Sequence, residues 1–305
     1  MKSNLVSFVI PTKNEEKTIS NVINGLKSAS LELGLTVHEI IVTDDSSDKT
    51  RKIAESLGAS IVCGGSKGLG YAMFRGLKRA ARGNPDVIIS LDGDGQVDIS
   101  ELKDFIHTLD SQEADMVVGS RFLNKSLIGY KYPLINRMGT IILSWILRRL
   151  TKLPLTDSHG GIRAVKPKVI HELEMIGSHT YVQETIIDAS ENGFKIIEIA
   201  SKWNVRQHGK SRVVGSISKY IFYTLPVLIL RSKQHIEVFF VTGIMLVLMA
   251  FIHIIVVAWQ TNFSIQQLFD RQSFHLFFLL LSIGFNFFFF GVTLEFLAQI
   301  KRNKG

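Results

Sequence analysis

Two long apolar segments near the C-terminus limit what this chain can fold into more than any other feature. Ile236–Trp259 contains a single charged residue, Glu237, and Phe274–Leu294 contains none. A helix of about 20 apolar residues crosses the hydrocarbon core of a bilayer. Nothing else in the chain could cover two such helices in a soluble core. We therefore predict a transmembrane hairpin at 235–300, with spans at about 236–259 and 274–298.

The basic residues that flank these segments predict their orientation. They lie before the first segment and after the second: Arg231, Lys233, Lys301, Arg302 and Lys304. The loop between the segments offers only Arg271 as a basic residue. Because positively charged flanks stay on the cytoplasmic side, we predict an integral membrane protein whose N-terminal domain and both termini are cytoplasmic. His253 and Glu295, in or near the spans, are expected to be helix-pairing or interface residues, and a functional role is the alternative.

Short apolar strands alternate with amphipathic helices in the first part of the chain. We predict five strands, each a short apolar run: Leu5–Ile10, Glu39–Thr43, Ser60–Cys63, Val87–Leu91 and Met116–Gly119. Between them, apolar residues recur at helical spacing. This alternation predicts an α/β domain with a mostly parallel, doubly wound sheet, which we place at residues 1–215.

Two basic amphipathic segments follow the predicted sheet. Residues 134–150 carry apolar residues at helical spacing with arginines at other positions, and residues 216–234 form a juxtamembrane segment of the same character. The first helix either lies in the membrane interface or covers the sheet. The formal net charge of +8 suits an anionic partner. We do not expect nucleic acid binding, because no basic run with interleaved aromatic residues lies on one element.

The stretch Val87–Gln96 reads V-I-I-S-L-D-G-D-G-Q and places Asp92 and Asp94 directly after a predicted buried strand. Open parallel sheets bind ligands beyond the carboxyl ends of their strands. Two carboxylates one residue apart suit a hard divalent cation that holds a phosphate or diphosphate. A solvated Asp-Gly turn is the alternative. The single Cys63 excludes a disulfide within the chain, and no Cys/His cluster has zinc-ligand spacing.

Similar polar stretches follow the other predicted strands, and together they resemble a known family. They are V-I-P-T-K-N-E-E at 9–16, T-D-D-S-S-D at 43–48, D-G-D-G-Q at 92–96 and G-S-R at 119–121. In this order they resemble the GT-A nucleotide-sugar fold of glycosyltransferase family 2. The segments at 157–164, 183–184 and 206–212 are similar to further motifs of that family. With two C-terminal spans, the chain resembles the polyprenyl-phosphate glycosyltransferases of the dolichol-phosphate mannose synthase type.

The chain departs from the family pattern at two places. The D-D-S-S-D at 44–48 is one residue shorter than the usual D-D-x-S-x-D. Ile162 stands at the usual phenylalanine of S-G-F-R, and His159-Gly160 stands where a small hydroxyl residue is usual. Neither departure touches the metal motif, but both bear on which base and sugar are bound. The Q-x-x-R-W motif of processive synthases is absent, which favours the transfer of a single sugar.

The resemblance implies a donor site that binds a nucleotide sugar together with Mg²⁺ or Mn²⁺. The residues implied in nucleotide binding are Pro11, Thr12, Asn14, Glu16, Asp44, Asp45 and Asp92. Those implied in metal binding are Asp92, Asp94 and Gln96. The metal would neutralise the charge that develops on the nucleoside diphosphate as it leaves.

The resemblance also implies an acceptor that is a lipid monophosphate. Guanidinium groups suit phosphate, and the acceptor-binding residues implied are Arg121, Arg137, Arg206, Ser211 and Arg212. The catalytic residues implied are Asp94, Arg121, Asp157 and Arg206. Asp157 is expected to orient the acceptor or an arginine and is not assigned as a base, because a phosphate oxygen is already anionic at neutral pH.

We therefore predict the transfer of one hexose, from GDP-mannose or UDP-glucose, to a polyprenyl or dolichyl phosphate with inversion at C1. Two alternatives stay open: a family 2 transferase acting on another lipid or glycan hydroxyl, and a non-catalytic nucleotide-sugar-binding membrane protein. A hydroxyl acceptor would need a base near C1, so dependence on Asp157 with a pKa in the neutral range would favour the first alternative. The expected partners are the donor, the lipid acceptor and the bilayer. Paired hairpins and interfacial helices could also assemble into a homo-oligomer, but no residue pattern fixes the number of copies.

Overall fold

The structure is a computed structural model, and it describes residues 4–129, 134–174, 181–206, 228, 233–264 and 272–302. The chain divides into two compact units, Met1–Leu228 and Ile229–Gly305. The first unit contains the sheet, and the second contains the apolar helices. Most of the predicted juxtamembrane segment at 216–234 lies outside the described residues.

A seven-stranded sheet forms the centre of the first unit. Its strands are β1 Leu5–Thr12, β2 Thr36–Asp44, β3 Ser60–Cys63, β4 Val87–Ser90, β5 Met116–Ser120, β6 Arg163–Val165 and β7 Ile196–Ala200. They lie in the order β3-β2-β1-β4-β6-β5-β7, and β6 runs antiparallel to β4 and β5 while the other neighbours are parallel. The predicted α/β fold is confirmed, and β6 and β7 are added to the five predicted strands.

Helices cover both faces of the sheet. In chain order they are α1 Ile19–Glu32, α2 Thr50–Ser56, α3 Leu69–Arg82, α4 Leu102–Ser111, α5 Leu134–Thr151, α6 Pro167–Glu172 and α7 Val182–Glu191. Successive strand side chains point to opposite faces, so Phe8 joins one apolar cluster with Phe105 and Val9 joins the other with Met73. Burial on both faces explains why the strands are continuous apolar runs.

The register of the parallel strands brings their carboxyl ends to one edge of the sheet. Thr12 of β1 pairs with Asp44 of β2, and Val9 of β1 pairs with Ser90 of β4. The polar stretches that follow β1, β2 and β4 therefore leave the sheet on the same side. Parallel sheets bind their ligands at this edge.

Helix α5 has both a packed face and an exposed apolar face. Thr140, Ser144 and Leu147 are buried, and the helix packs against α7. Four apolar residues on another side of the helix are 50% to 63% exposed: Met138, Ile141, Ile142 and Trp145. A helix that served only to cover the sheet would turn its apolar residues inward. Helix α5 therefore covers the domain and also presents an unburied apolar surface.

The second unit is a pair of long helices, α8 Lys233–Gln260 and α9 Gln272–Arg302. Their backbones approach closely, since a Cβ at Gly243 would lie 2.9 Å from the carbonyl oxygen of Gly284. Within them, Glu237–Gln260 and Phe274–Leu297 are long and apolar enough to cross a membrane. Most of their surface is apolar and exposed, which is the surface that lipid would cover. The orientation of the termini stays a prediction.

Candidate active site

The predicted metal motif lies in the turn that follows β4. Asp94 Oδ1 accepts a hydrogen bond from the backbone N–H of Gln96 at 3.0 Å, which fixes the carboxylate in the turn. Gln96 Nε2 donates to the carbonyl oxygen of Asn204 at 3.2 Å, and Asn204 N donates back to Gln96 O at 2.8 Å. The motif is therefore tied to the segment that follows β7 and leads to Arg206.

Arg206 links this motif to the loop after β1. Its Nη2 lies 2.8 Å from Glu15 Oε1, and its Nη1 lies 3.4 Å from Asp94 Oδ2. The three side chains are only 12% to 18% exposed. The structure thus brings together Asp94 and Arg206, two residues predicted for the site. It adds Glu15, which the sequence did not single out.

The two carboxylates of the motif lie close together and are only partly exposed. Burial and the charge of Asp94 raise the pKa of Asp92 to about 7, although the charges of Arg163, Arg206 and Arg121 oppose the shift. Burial also raises the pKa of Asp94. Adjacent buried carboxylates repel each other unless a positive charge lies between them, so the site favours a bound cation.

The donor set fits Mg²⁺ or Mn²⁺. These cations take oxygen ligands and keep coordination places for water and for substrate phosphate oxygens. Within the ranges that the structure describes, no group of three or more His, Cys, Asp or Glu side chains could hold a metal. Asp92 and Asp94 supply two carboxylate groups of the kind that such a cation takes as ligands. The role of Gln96 as a third ligand stays a prediction.

Arg121 and Asp157 form a buried ion pair beyond β5. Arg121 donates from Nε to Asp157 Oδ2 at 2.7 Å, from Nη2 to Oδ1 at 2.9 Å, and from its backbone N–H to Oδ2 at 3.1 Å. Burial alone would raise the pKa of Asp157, but the charge and hydrogen bonds of Arg121 outweigh burial and hold this pKa below its usual value. Asp157 is thus an ionised group that orients an arginine, one of the two roles implied by the resemblance.

Trp203 packs against the guanidinium of Arg121. The Arg121 Cζ lies 4.9 Å from the ring centre, within cation–π distance. The same ring contacts Gly161, where a Cβ would lie 2.7 Å from Trp203 Cη2 and 2.9 Å from Asp92 Oδ2. A Cβ at Gly160 would collide with the carbonyl oxygen of the sheet residue Gly119. Close packing therefore explains why this chain has no hydroxyl side chain at position 160.

Arg163 is a buried cation near the metal motif. Its Nη1 donates to Thr185 Oγ1 at 2.6 Å, and its guanidinium lies 5.0 Å from the Tyr181 ring centre. Its Nε and Nη2 have no hydrogen-bond partner in the described part of the chain. The charge of Arg163 favours the ionised form of Asp92, so it acts as an internal counter-charge. Arg163 lies in the segment 157–164, and the resemblance of this segment to a family motif is the sequence signal that could have identified it.

The residues predicted to bind the nucleotide lie after β1 and β2, and several of them connect the two loops. Thr12 Oγ1 donates to Asp44 Oδ1 at 2.9 Å, and the side chains of Asn14 and Glu16 accept from backbone N–H groups of the second loop. Asp44 is fully buried. Asp45 is partly exposed, so it is better placed than Asp44 to meet a base or ribose.

The remaining predicted residues are not part of this cluster. Pro11 is buried in β1. Arg137 lies in α5, is partly exposed, and makes no hydrogen bond or ion pair with another described residue. Ser211 and Arg212 lie outside the described residues. Gln183 and Glu184, which resemble a further motif of the family, lie in the first turn of α7, where Gln183 donates to the carbonyl oxygen of Ser158 at 2.9 Å.

A doubly wound sheet with an Asp-x-Asp turn after β4 and arginines at the same edge defines a GT-A-type glycosyltransferase. The family profile of Glycosyl transferase family 2 matches residues 7–173. The chain belongs to this family.

Two similar proteins are glycosyltransferases of the dolichyl-phosphate type. A UDP-N-acetylglucosamine–dolichyl-phosphate N-acetylglucosaminyltransferase of Methanococcus voltae is 29% identical over 250 residues, which are 75% of this chain and 97% of that protein. A dolichol-phosphate mannosyltransferase of Pyrococcus furiosus is 27% identical over 228 residues, which are 71% of this chain and 61% of that protein. The predicted resemblance to the dolichol-phosphate mannose synthase type is confirmed.

A solved structure has the same fold. It is the crystal structure of glucosyl-3-phosphoglycerate synthase from Mycobacterium tuberculosis with Mn²⁺, UDP and glucosyl-3-phosphoglycerate. The TM-score is 0.55 at 20% identity, with 75% of this chain and 80% of that chain covered. At this identity the likeness shows the fold alone, and it supports the GT-A assignment.

Proposed function

We propose that this chain transfers one hexose from a nucleotide sugar to a polyprenyl or dolichyl phosphate, with inversion at C1, at the cytoplasmic face of a membrane. The observation that carries this proposal is that carboxylates and arginines lie together at one edge of the sheet. The carboxylates Asp92 and Asp94 suit a cation bound to a diphosphate. The arginines Arg121 and Arg206 suit a second phosphate.

The donor side follows from the metal motif. Asp92, Asp94 and Gln96 would hold Mg²⁺ or Mn²⁺, and a bound metal would neutralise the charge that develops on the leaving nucleoside diphosphate. Asp45 would contact the base or ribose, while Thr12 and Asp44 hold the loop in place. The names of the relatives support a nucleotide-sugar donor, and GDP-mannose, UDP-glucose and UDP-N-acetylglucosamine are the donors to compare.

The acceptor side follows from the state of Asp157. A hydroxyl acceptor needs a general base near C1 with a pKa close to the working pH. Asp157 is bound by Arg121, and its pKa lies below the usual value, so it does not meet that requirement. A phosphate oxygen is already anionic and needs orientation more than deprotonation. The buried Arg121–Asp157 pair supplies a fixed cation of this kind.

The proposed membrane association is supported by α5 and by the two long helices. We propose a catalytic domain at 1–215, a juxtamembrane segment at 216–234 and a transmembrane hairpin at 235–300. The exposed apolar face of α5 would then lie in the interface, at the depth of lipid phosphates. Arg137 lies on the same helix and would reach the acceptor phosphate there.

A transfer assay in detergent tests this function. Purified protein would receive each radiolabelled donor in turn, with polyprenyl phosphate and with Mg²⁺, Mn²⁺ or EDTA. We expect metal-dependent label in the lipid phase from one donor, and its loss in Asp94→Asn. Asp98→Asn is the matched control, because Asp98 bonds to Ser100 and Lys202 outside the cluster and should leave transfer intact. Nucleotide binding without any lipid product would refute the lipid phosphate acceptor.

A further inference from the structure

Glu198 of β7 lies outside every motif described so far, yet each of its two carboxylate oxygens accepts two hydrogen bonds. Oε1 accepts the backbone N–H groups of Thr156 and Asp157, each at 2.9 Å. Oε2 accepts the N–H and the hydroxyl of Thr156, each at 2.8 Å. A strand residue at the edge of the sheet thus anchors a turn that lies 41 to 42 positions earlier in the chain.

This turn carries the carboxylate that fixes Arg121. Asp157 takes three hydrogen bonds from Arg121, two from the guanidinium and one from the backbone. The Thr156 hydroxyl also lies 2.7 Å from Ser120 Oγ, which in turn accepts from the backbone N–H of Phe122 at 3.1 Å. The backbone on both sides of Arg121 and its guanidinium are therefore held by one turn, and Glu198 holds that turn.

A carboxylate at position 198 is expected to cost folding stability by itself. Glu198 is largely enclosed, and burial raises its pKa, with the nearby charge of Asp157 adding to the shift. Two carboxylates placed side by side cost stability unless each is fixed by donors. The arrangement is better explained by the geometry that it imposes on Asp157 than by a gain in stability.

We infer that Glu198 is a positioning residue for the acceptor side of the site, acting through the Thr156–Asp157 turn to hold Arg121 in place. This inference rests on the proposed function, in which Arg121 binds the acceptor phosphate. Loss of Glu198 would free the turn, shift the Asp157 carboxylate and release the guanidinium from its fixed position over Trp203. The donor motif after β4 makes no contact with Glu198 in the hydrogen bonds of the described residues, so donor binding should be unaffected.

Steady-state kinetics with the full-length protein test the inference. Glu198→Ala should raise the KM for polyprenyl phosphate about 10- to 100-fold, as expected for a misplaced binding group, while the KM for the donor stays unchanged. Glu198→Gln should recover most of the activity, because its Oε1 can still accept both N–H groups and its NH₂ can donate to the Thr156 hydroxyl. Asp115→Ala is the matched control. Asp115 accepts from Lys195 N at the opposite end of β5 and β7, and its loss should leave the acceptor KM unchanged.

A double-mutant cycle separates positioning from a general effect on the fold. If Glu198 acts through Arg121, then Glu198→Ala added to Arg121→Ala should not raise the acceptor KM further. Additive effects, or equal rises in donor and acceptor KM, would overturn the inference. If Glu198→Ala does not fold, Thr156→Val removes the hydroxyl link alone and should raise the acceptor KM several-fold; an unchanged KM overturns the inference. A wild-type protein that gives no lipid product overturns the proposed function itself.

Discussion

The substitution Asp157→Asn tests how the acceptor side of the site is built. The Asp157 carboxylate accepts four hydrogen bonds, three from Arg121 and one from the backbone N–H of His159. A carboxamide has the same size but replaces one acceptor oxygen with a donor NH₂. Whichever way the amide turns, a donor faces a donor, and the guanidinium loses its counter-charge.

The expected loss of stability follows from the burial of the pair. The side chains of Arg121 and Asp157 are 6% and 0% exposed, so solvent screens the remaining charge very little. Removing one partner of a buried pair costs about 3–5 kcal/mol. A domain of this size loses about 2–4 °C of melting temperature per kcal/mol, so Asp157→Asn should lower the melting temperature by about 6–20 °C.

The pH dependence of this difference has a definite sign. The pKa of Asp157 is lowered from 3.8 in the folded chain, so the folded state binds this proton less readily than the unfolded state. The stabilisation is therefore fully present above about pH 4 and is lost as the pH falls through the folded pKa. The gap between wild type and variant should close at acidic pH.

Thermal unfolding and pH–rate profiles provide the assay. Glu39→Gln is the control, because its ion pair with Arg79 is exposed on the arginine side and should cost less than about 1 kcal/mol. A melting temperature within about 2 °C of wild type for Asp157→Asn would refute the buried-pair reasoning. A kinetic pKa near neutrality that disappears in this variant would refute the anchoring role and indicate a base.

Three further predictions concern the metal motif, the exposed helix face and the partly exposed His159. Asp94→Asn should lower kcat at least about 100-fold without lowering the melting temperature in EDTA, because burial already disfavours this carboxylate; a clear melting loss in EDTA would contradict this. Trp145→Ser should raise the KM for a long-chain acceptor in liposomes about 10-fold but not that for a short soluble one, and Leu31→Ser, exposed on α1, should change neither. Burial lowers the pKa of His159 from 6.5 to about 4, so stability measured by denaturant titration should fall as the pH drops from 6.5 towards 4. His159→Gln should flatten that slope, and an unchanged slope would contradict the assignment.

The sequence was sufficient to predict those elements whose apolar pattern extends over several consecutive residues of one segment. Five apolar runs between amphipathic helices were sufficient for strands β1 to β5. Strand β6 was not found because three residues, Arg163–Val165, are too few for any periodicity to show. It lies between β4 and β5 and runs antiparallel to both, an order that depends on pairing across the chain. Strand β7, Ile196–Ala200, is longer and was also not predicted.

Within the candidate site, the sequence identified residues in motifs but not the contacts between them. Asp92 and Asp94 could be found because two carboxylates end one apolar strand. Glu15 could not be assigned a role, since its partner Arg206 lies 191 positions away. Trp203 gave no local signal either, because its function depends on lying against Gly161 and Arg121. Roles that arise from packing across the sheet edge become visible only in the folded chain.

The balance of charge at this edge connects these contacts to the proposed reaction. Four carboxylates and three guanidinium groups lie around the motif: Glu15, Asp92, Asp94 and Asp157 with Arg121, Arg163 and Arg206. With all four carboxylates ionised, this cluster carries one more negative than positive charge. A divalent cation held by Asp92 and Asp94 would offset that excess, so the site would no longer repel the diphosphate of a donor. The ion pairs of Arg121 with Asp157 and of Arg206 with Glu15 hold the two guanidinium groups in place, because a buried guanidinium is stable only beside a counter-charge.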